Sequence, residues 1–318
     1  MWHGVLALLL VLPISLLISF DGGCAEDIAE DAPPFSITDD RGRSIRLDHF
    51  AERIVSLSPH ITELIFAAGA GNKLVGVDRY SDYPETAKWI PSIGDSSSLD
   101  LERILALKPD LVIAWRSGNS IQDIEKLEKL GLTVFAAEAT TLENVSRSLR
   151  MMGKLTGMSS RAEPAARAYE EDLRQITRRD GARRQIRVFQ LIWHQPLMTV
   201  NGNHIMSDII NICGGINVFA SAPALTPVIS AENLLEADPQ AIISSISQNG
   251  AADRLRRLSH ISAVRNEHWF FVHPDLMHRP TPRMLQAVKS VCAQLEKVRS
   301  SEEKKVVVPQ TSIHESFR

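Results

Sequence analysis

The chain has 318 residues, a formal net charge of −3 at pH 7, 44% hydrophobic residues and 23% charged residues. This length suffices for two lobes that each bury a core, and the composition is that of an ordinary globular protein. A small net charge without a local basic stripe argues against nucleic acid as a partner.

The chain begins with an apolar run that is followed by the small residues of the segment DGGCAED. Such a run could span a membrane, but Pro13 and the small residues behind it are typical of a secretory signal. We therefore predict a signal peptide over residues 1–25, cleaved after Ala25. Lipidation at Cys24 is the alternative, and it is disfavoured because Asp21 stands where a lipoprotein signal has a large aliphatic residue.

Short apolar strands alternate with helices in the first half of the chain. A hairpin is predicted within residues 36–50, and the strand-like segments RIVSLSP, KLVGVD, DLVIAW and TVFAAE follow it, separated by helical patterns. This alternation predicts a parallel sheet with helices on both faces. We assign residues 36–148 to an N-terminal α/β lobe.

The middle of the chain has a helical pattern with little strand signal. Apolar residues recur there at helical spacing, at Leu142, Val145, Leu149, Met152 and Leu155. This spacing predicts one long, rigid interlobe helix over residues 149–182.

The second half repeats the alternation of strands and helices. The strand-like segments RVFQLIW, QAIISS and HWFFVH predict a C-terminal α/β lobe over residues 183–298. The fold class is therefore α/β, with two similar lobes of mostly parallel sheet joined by the interlobe helix. The polar segment 299–318 is predicted to be a disordered tail.

One local pattern occurs once in each predicted lobe. Asp100 and Ser230 are suited to cap a helix, and Glu102 and Glu232 follow two places later in the first turn. A carboxylate there is favoured by the helix dipole, which explains each glutamate alone. Because the pattern is repeated, the two carboxylates could instead dock onto two arginines of a symmetric partner.

The chain has three cysteines, Cys24, Cys213 and Cys292. If Cys24 leaves with the signal peptide, an even pair remains. Export then makes a disulfide between Cys213 and Cys292 reasonable, and two buried thiols are the alternative.

The chain resembles the metal-chelate class of periplasmic substrate-binding proteins, and its cobalamin-binding members in particular. The resemblance covers most of residues 52–297 and rests on the segments RIVSLSPHITELIFAAG, YSDYP, LERILALKPDLVIAWRSGN, CGGINVF, DPQAII and TPRMLQAVKSVC. It implies two lobes around a shallow cleft, with a single helix across the back. It also implies that Glu102 and Glu232 dock a permease and that Cys213 pairs with Cys292.

The resemblance further implies ligand-binding residues. Tyr80 and Trp115 match aromatic residues of the cleft, and Asp275 and Arg279 match a polar pair that faces the ligand. Four positions lack the aromatic residue that the cobalamin binders have, namely Ser96, Met198, Thr226 and Leu276. Since aromatic surface contributes to recognition of a large planar chelate, the thinner set leaves the exact ligand open.

In each predicted lobe, one histidine follows the first strand of the parallel sheet. His60 comes after RIVSLSP and His194 comes after RVFQLIW. Ligands gather at the carboxyl ends of parallel strands, and neutral imidazole binds iron and cobalt. Either histidine could therefore make an axial contact to a metal, or both could only hydrogen-bond in the cleft wall. Trp193 could stack on the ligand or lie in the core.

These observations predict a receptor rather than an enzyme. We expect it to act in the periplasm as a monomer without a cofactor of its own, and to deliver a cobalt corrinoid to an inner-membrane ABC permease with its ATPase. An iron chelate, either haem or a ferric siderophore, is the alternative ligand.

A metal-dependent hydrolase is the alternative from another class. His273, Asp275 and His278 form an H-x-D-x-x-H pattern that could suggest zinc. The pattern crosses Pro274 and lies past a predicted strand, so we predict a loop that lines the cleft. The chain also has no HExxH and no GxSxG motif.

Overall fold

The computed structural model of the protein describes residues 1–2, 34–246 and 258–307. The predicted signal peptide, with Cys24 as the alternative modification site, therefore lies almost wholly outside the described residues. Residues 34–246 and 258–307 belong to one compact unit. Within the described ranges, no helix has the length and apolar character needed to cross a membrane.

The N-terminal lobe consists of a hairpin followed by a parallel sheet. Its strands are β1 (Phe35–Thr38), β2 (Ser44–Leu47), β3 (Ile54–Ser56), β4 (Leu74–Val77), β5 (Gly94–Asp95), β6 (Ser98–Leu99), β7 (Leu111–Trp115) and β8 (Val134–Ala137). Its helices are α1 (Pro59–Ala67), α2 (Leu101–Ala106) and α3 (Ile121–Lys129), with 3-10 turns at Gly71–Lys73 and Glu85–Trp89. The main sheet has the order β4-β3-β7-β8, and all its strands are parallel.

The continuous apolar character of the strands follows from this arrangement. In β7, the residues from Leu111 to Ala114 are fully buried, because the sheet is covered on both faces. The hairpin of β1 and β2 and the parallel sheet are both as the sequence predicts, whereas the small hairpin of β5 and β6 is too short to be recognised from periodicity.

The segment predicted to be one interlobe helix contains two helices instead. These are α4 (Leu142–Thr156) and α5 (Ser159–Asp180). The break is at Gly157, whose φ of 73° is left-handed and ends α4. α5 then packs along α4, and the Tyr169 hydroxyl donates to the carbonyl of Leu142 at 3.0 Å.

The C-terminal lobe has the same design as the N-terminal lobe. Its strands are β9 (Ile186–Leu191), β10 (Trp193–His194), β11 (Leu197–Met198), β12 (Gly215–Asn217), β13 (Ala241–Ser244) and β14 (Trp269–Phe271). Its described helices are α6 (Ile205–Ile212), α7 (Ala231–Ala237), α8 (Ser262–Arg265), α9 (Pro274–Met277) and α10 (Met284–Val307). The parallel sheet has the order β12-β9-β13-β14. The predicted fold class of two similar parallel-sheet lobes is confirmed.

One cluster of buried hydrophobic residues extends through both lobes. It includes Ile54 and Ile113 of the first sheet and Val188 of the second, and it continues through the buried faces of α4 and α5. A polar contact joins the same elements, since the backbone N–H of Leu142 donates to Asp208 of α6 at 3.2 Å. Any movement between the sheets would therefore have to disturb close-packed apolar contacts.

The disulfide between Cys213 and Cys292 is present and connects the end of α6 to α10. Both residues are buried in the core of the C-terminal lobe. The alternative of two separate thiols is therefore wrong for this structure.

The last helix extends beyond the predicted boundary. α10 continues to Val307, so the prediction of a disordered tail from residue 299 is wrong for residues 299–307, and residues 308–318 lie outside the described ranges. Arg299 is buried and donates to the carbonyls of Cys213 and Arg184, each at 2.7 Å. These tertiary contacts stabilise the helical conformation of a polar segment. They could not be predicted from the polar sequence of the segment itself.

Candidate functional site

The predicted ligand-binding residues lie at the carboxyl edges of the two parallel sheets. His60 follows β3, Tyr80 follows β4, and Trp115 is the last residue of β7. In the other lobe, Trp193, His194 and Met198 follow β9, and Asp275 and Arg279 follow β14. The two edges meet, because Arg279 donates to the carbonyl of Tyr80 at 3.3 Å. Such edges are where α/β proteins bind ligands.

Both edges expose apolar surface. Tyr80 is 60% exposed on the N-terminal lobe, and Trp193 is 50% exposed on the C-terminal lobe. The indole N–H of Trp193 donates to the carbonyl of Gln195 at 2.9 Å, which fixes the ring. Met198 pairs with Trp193 across the short hairpin of β10 and β11 and also bridges to the exposed Val228.

The positions that lack the expected aromatic residues do not provide a stacking surface. Ser96 lies exposed in the turn between β5 and β6, and Thr226 is exposed next to Leu225. Leu225 is 50% exposed, so the rim of the C-terminal lobe has aliphatic surface next to Thr226, where an aromatic residue is missing. Leu276 in α9 is partly buried and packs against the core.

His60 lies under the edge of the N-terminal sheet. Its Nδ1 is 2.9 Å from the hydroxyl of Ser58, and its ring meets the Trp115 ring edge-on, with 5.1 Å between centroids. Burial lowers the pKa of His60 to about 3, and the nearby Arg279 guanidinium acts in the same direction. The imidazole is therefore neutral at physiological pH, and Nε2 is the nitrogen that remains for another partner.

His194 differs from His60 in its hydrogen bonding. Its Nδ1 is buried and has no hydrogen-bond partner among the described residues. Its ring centroid lies 5.8 Å from that of Trp193. Buried polar atoms are normally satisfied, so His194 has an unused hydrogen-bonding capacity at the carboxyl edge.

Arg279 is the centre of an ion-pair network between the lobes. Its Nη1 lies 3.0 Å from Glu63 and 2.6 Å from Asp82 of the N-terminal lobe. Its Nη2 lies 3.0 Å from Asp275. The predicted pair of Asp275 and Arg279 is thus in contact, whereas Glu63 and Asp82 are absent from the sequence-based prediction.

Glu63 carries a charge inside the structure. It stands in α1 between the apolar residues Ile61, Leu64 and Ile65, so its helical position is that of a core residue. A carboxylate at such a position needs partners, and this is the sequence signal that could have identified it. Its partners, Arg279 and Arg283, come from the segment that follows β14.

The other arginines at the N-terminal edge also have carboxylate partners. Arg79 lies 3.3 Å from Asp95, and Arg116 lies 3.6 Å from Glu138. Glu138 also accepts the indole N–H of Trp115 at 3.1 Å. This edge therefore has little uncompensated positive charge.

The H-x-D-x-x-H residues do not form a metal site. They lie in the short helix α9 and at its ends, so the predicted loop is wrong. His273 accepts the backbone N–H of Asp275 at 3.3 Å, whereas Nε2 of His278 is 2.6 Å from the hydroxyl of Ser245. Across the described part of the chain, no group of three or more His, Cys, Asp or Glu side chains is placed to hold a metal ion.

Asp78 is a buried carboxyl group next to the edge. Burial raises the pKa of Asp78 to about 6, and the charge of Asp95 adds to this, although the backbone N–H of Tyr80 opposes it. Because the folded-state pKa is raised, the stability due to this group is complete below pH 3.8 and is lost as the pH rises through 6.

We therefore expect Asp78→Asn to raise the melting temperature at pH 7.5 relative to the unmodified protein. The side-chain amide keeps an oxygen for the N–H of Tyr80 but carries no charge to desolvate. Thermal denaturation at pH 4.5 and 7.5 measures this, and the gain should shrink at the lower pH. A variant that is equally destabilised at both pH values would contradict the assignment.

The repeated glutamates are the second residues of two equivalent helices. Asp100 accepts the backbone N–H of Arg103 at 2.9 Å, and Ser230 accepts that of Asn233 at 3.1 Å, so both predicted caps are confirmed. Glu102 and Glu232 are exposed in the first turns of α2 and α7. The backbone N–H of Glu232 itself and the Ser230 hydroxyl hold the pKa of Glu232 below its ordinary value.

An apolar residue accompanies each of these glutamates. Leu105 is 37% exposed and Leu235 is 38% exposed, and each lies three positions after its glutamate. Residues three apart share a helix face. Each lobe thus presents the same exposed pair of one carboxylate and one leucine.

The chain matches the family model for periplasmic binding proteins over residues 54–276. It is 35% identical over 251 residues to the vitamin B12-binding protein of Vibrio parahaemolyticus, covering 78% of this chain and 90% of the relative. The crystal structure of the vitamin B12-binding protein BtuF of Vibrio cholerae is similar with a TM-score of 0.73 and 35% identity, over 78% of this chain and 98% of that one. The haem-binding protein RhuT of Roseiflexus sp. RS-1 has a TM-score of 0.69 and 26% identity, over 78% and 99%.

Proposed function

This chain belongs to the periplasmic binding protein family, and on that basis we propose that it captures a cobalt corrinoid such as vitamin B12 and delivers it to an ABC importer. The relatives at 35% identity that carry the name vitamin B12-binding protein support this ligand class. Family members bind and hand over ligands, so the chain acts as a receptor rather than as an enzyme. We place it in the periplasm as a monomer, with an inner-membrane permease and its ATPase as partners.

The observation that carries the choice of ligand is the charge arrangement at the cleft. Both terminal nitrogens of Arg279 are occupied by carboxylates, and the acceptors Asp82 and Asp275 remain partly exposed. Burial opposes ionisation of Asp82, but the hydrogen bond from Arg279, together with the charges of Arg279 and Arg283, lowers the pKa of Asp82 below its ordinary value. The cleft therefore offers hydrogen-bond acceptors more than free cations.

Such a cleft suits a ligand whose edge donates hydrogen bonds. A corrinoid has neutral carboxamide side chains that donate through their NH₂ groups, whereas haem and many siderophores present anionic groups. An anion would meet the carboxylates of Asp82 and Asp275 and would be repelled. This favours a corrinoid over haem or a ferric siderophore.

The remaining residues have defined roles in this proposal. Apolar faces of the ligand would lie against Tyr80, Trp115, Trp193 and Met198, and its polar edge would meet Asp275 and Arg279. His60, through Nε2, and His194 are the two candidates for an axial contact to cobalt. Glu102 and Glu232 would contact the permease.

Thermal denaturation with a panel of ligands tests the proposed function. We expect cyanocobalamin and cobinamide to raise the melting temperature of the purified mature protein, because a ligand that binds only the folded state stabilises it. Stronger stabilisation by haemin than by either corrinoid would instead support an iron chelate as the ligand. Stabilisation by zinc alone would contradict a chelate receptor.

A further inference from the structure

The carboxylate of Glu63 receives donors from three residues of the opposite lobe. It accepts Nη1 of Arg279 at 3.0 Å, the hydroxyl of Thr281 at 3.1 Å, and Nε and Nη2 of Arg283 at 2.9 and 2.7 Å. Its side chain is 3% exposed. A buried charge persists only where it is paired and hydrogen-bonded, so Glu63 and its partners depend on one another.

Glu63 is one of four acceptors that hold the Arg279 guanidinium. Nη1 of Arg279 is shared between Glu63 and Asp82, while Nη2 is held by Asp275 and by the carbonyl of Tyr80. The Arg279 side chain is 12% exposed. With both terminal nitrogens occupied from two lobes, the guanidinium is fixed before any ligand arrives.

The balance of charges in this network depends on Glu63. Two guanidinium groups, those of Arg279 and Arg283, face the three carboxylates of Glu63, Asp82 and Asp275. The guanidinium of Arg283 is also stacked 3.8 Å from the centroid of the Tyr83 ring. Removing the charge of Glu63 would leave two cations and two anions, and Arg279 would lose an anchor on its inner side.

We infer that Glu63 is a positioning residue that sets the ligand selectivity of the cleft through Arg279. By holding Arg279 against carboxylates of the protein, it withholds this cation from the anionic groups of competing chelates. The cleft then presents the carboxylates of Asp82 and Asp275 to donor groups of the ligand. This inference rests on the proposed function, because it assumes that the ligand lies against Arg279.

Glu63→Gln tests this role by its effect on selectivity. We expect the affinity for cyanocobalamin to fall about tenfold and the affinity for haemin to rise about tenfold, because the neutral amide no longer balances the charge of Arg279, which can then attract a propionate. Titration followed by tryptophan fluorescence measures both affinities at a temperature where thermal denaturation shows each variant folded. Glu163→Gln is the matched control, since Glu163 pairs with Arg150 in the α4–α5 pair and should change neither affinity.

The same change in an Arg279→Gln background shows whether Glu63 acts through Arg279. We expect no further shift of the ratio between the two affinities there. A shift of equal size without Arg279, or affinities for both ligands that fall together, would overturn the inference. If Glu63→Gln does not fold, Asp82→Asn removes the other of the two carboxylates on Nη1 of Arg279 and should shift the ratio in the same direction by a smaller factor.

The two proposals fail in different ways. If the unmodified protein does not bind cyanocobalamin, the proposed function is wrong. The effect of Glu63→Gln on the affinity for haemin then still tests the role of Glu63. If it binds cyanocobalamin and Glu63→Gln leaves the ratio unchanged, the role of Glu63 alone is wrong.

Discussion

Changing both Glu102 and Glu232 to alanine is expected to leave ligand binding intact and to lower transport at least tenfold. Both side chains are exposed at the starts of equivalent helices and take no part in the network around Arg279. Truncating one partner of a charge pair that is hydrogen-bonded and buried at an interface costs about 2–5 kcal/mol, so losing two such contacts should strongly weaken docking. Uptake of labelled vitamin B12 by cells that depend on this protein, together with titration of the purified variant, separates the two effects.

The matched control for this experiment is Glu125→Ala. Glu125 is an exposed glutamate in α3 that lies outside the repeated pattern. It should change neither binding nor uptake. The single variants Glu102→Ala and Glu232→Ala should each retain part of the uptake, since one docking contact per lobe remains. If the double variant lost ligand affinity, the carboxylates would have to face the cleft, and docking would be the wrong role for them.

The repeat itself could be predicted because its signals are local. Caps, first-turn acids and apolar stripes depend on residues a few positions apart, and the structure confirms the caps at Asp100 and Ser230. The two parallel sheets follow from similar short-range alternation. The interlobe segment shows a limit of this reasoning, because apolar spacing continues through Gly157 although the helix ends there.

The network around Arg279 could not be predicted, because its residues lie far apart in the sequence. Glu63 and Arg279 are 216 positions apart, and Asp82 and Arg279 are 197 positions apart. No periodicity links such residues, and only the fold brings them together. The sequence does show that Glu63 is an acidic residue at a position of α1 where the helical pattern calls for an apolar one. Residues that depart from the local pattern in this way are expected at functional sites.

Removing the two exposed aromatic rings is expected to have the largest effect on ligand affinity. Tyr80 and Trp193 stand on the edges of the two sheets, and each residue has half or more of its surface exposed and able to cover a planar ligand. Truncating an aromatic anchor typically costs about 2 kcal/mol, or roughly thirtyfold in affinity. Because the rings belong to different lobes, the losses in Tyr80→Ala/Trp193→Ala should add to roughly a thousandfold.

The control for this double variant is Trp89→Ala. Trp89 is 83% exposed at the end of a 3-10 turn and is not among the proposed ligand residues, so its loss should leave the affinity for cyanocobalamin unchanged. Calorimetric titration measures all variants. If Ser96, Met198, Thr226 and Leu276 stand at aromatic positions of the cleft, as the resemblance implies, the rings that remain must carry a larger share of the apolar contact. An affinity within threefold of the unmodified protein would mean that the aliphatic rim, rather than Tyr80 and Trp193, holds the ligand face.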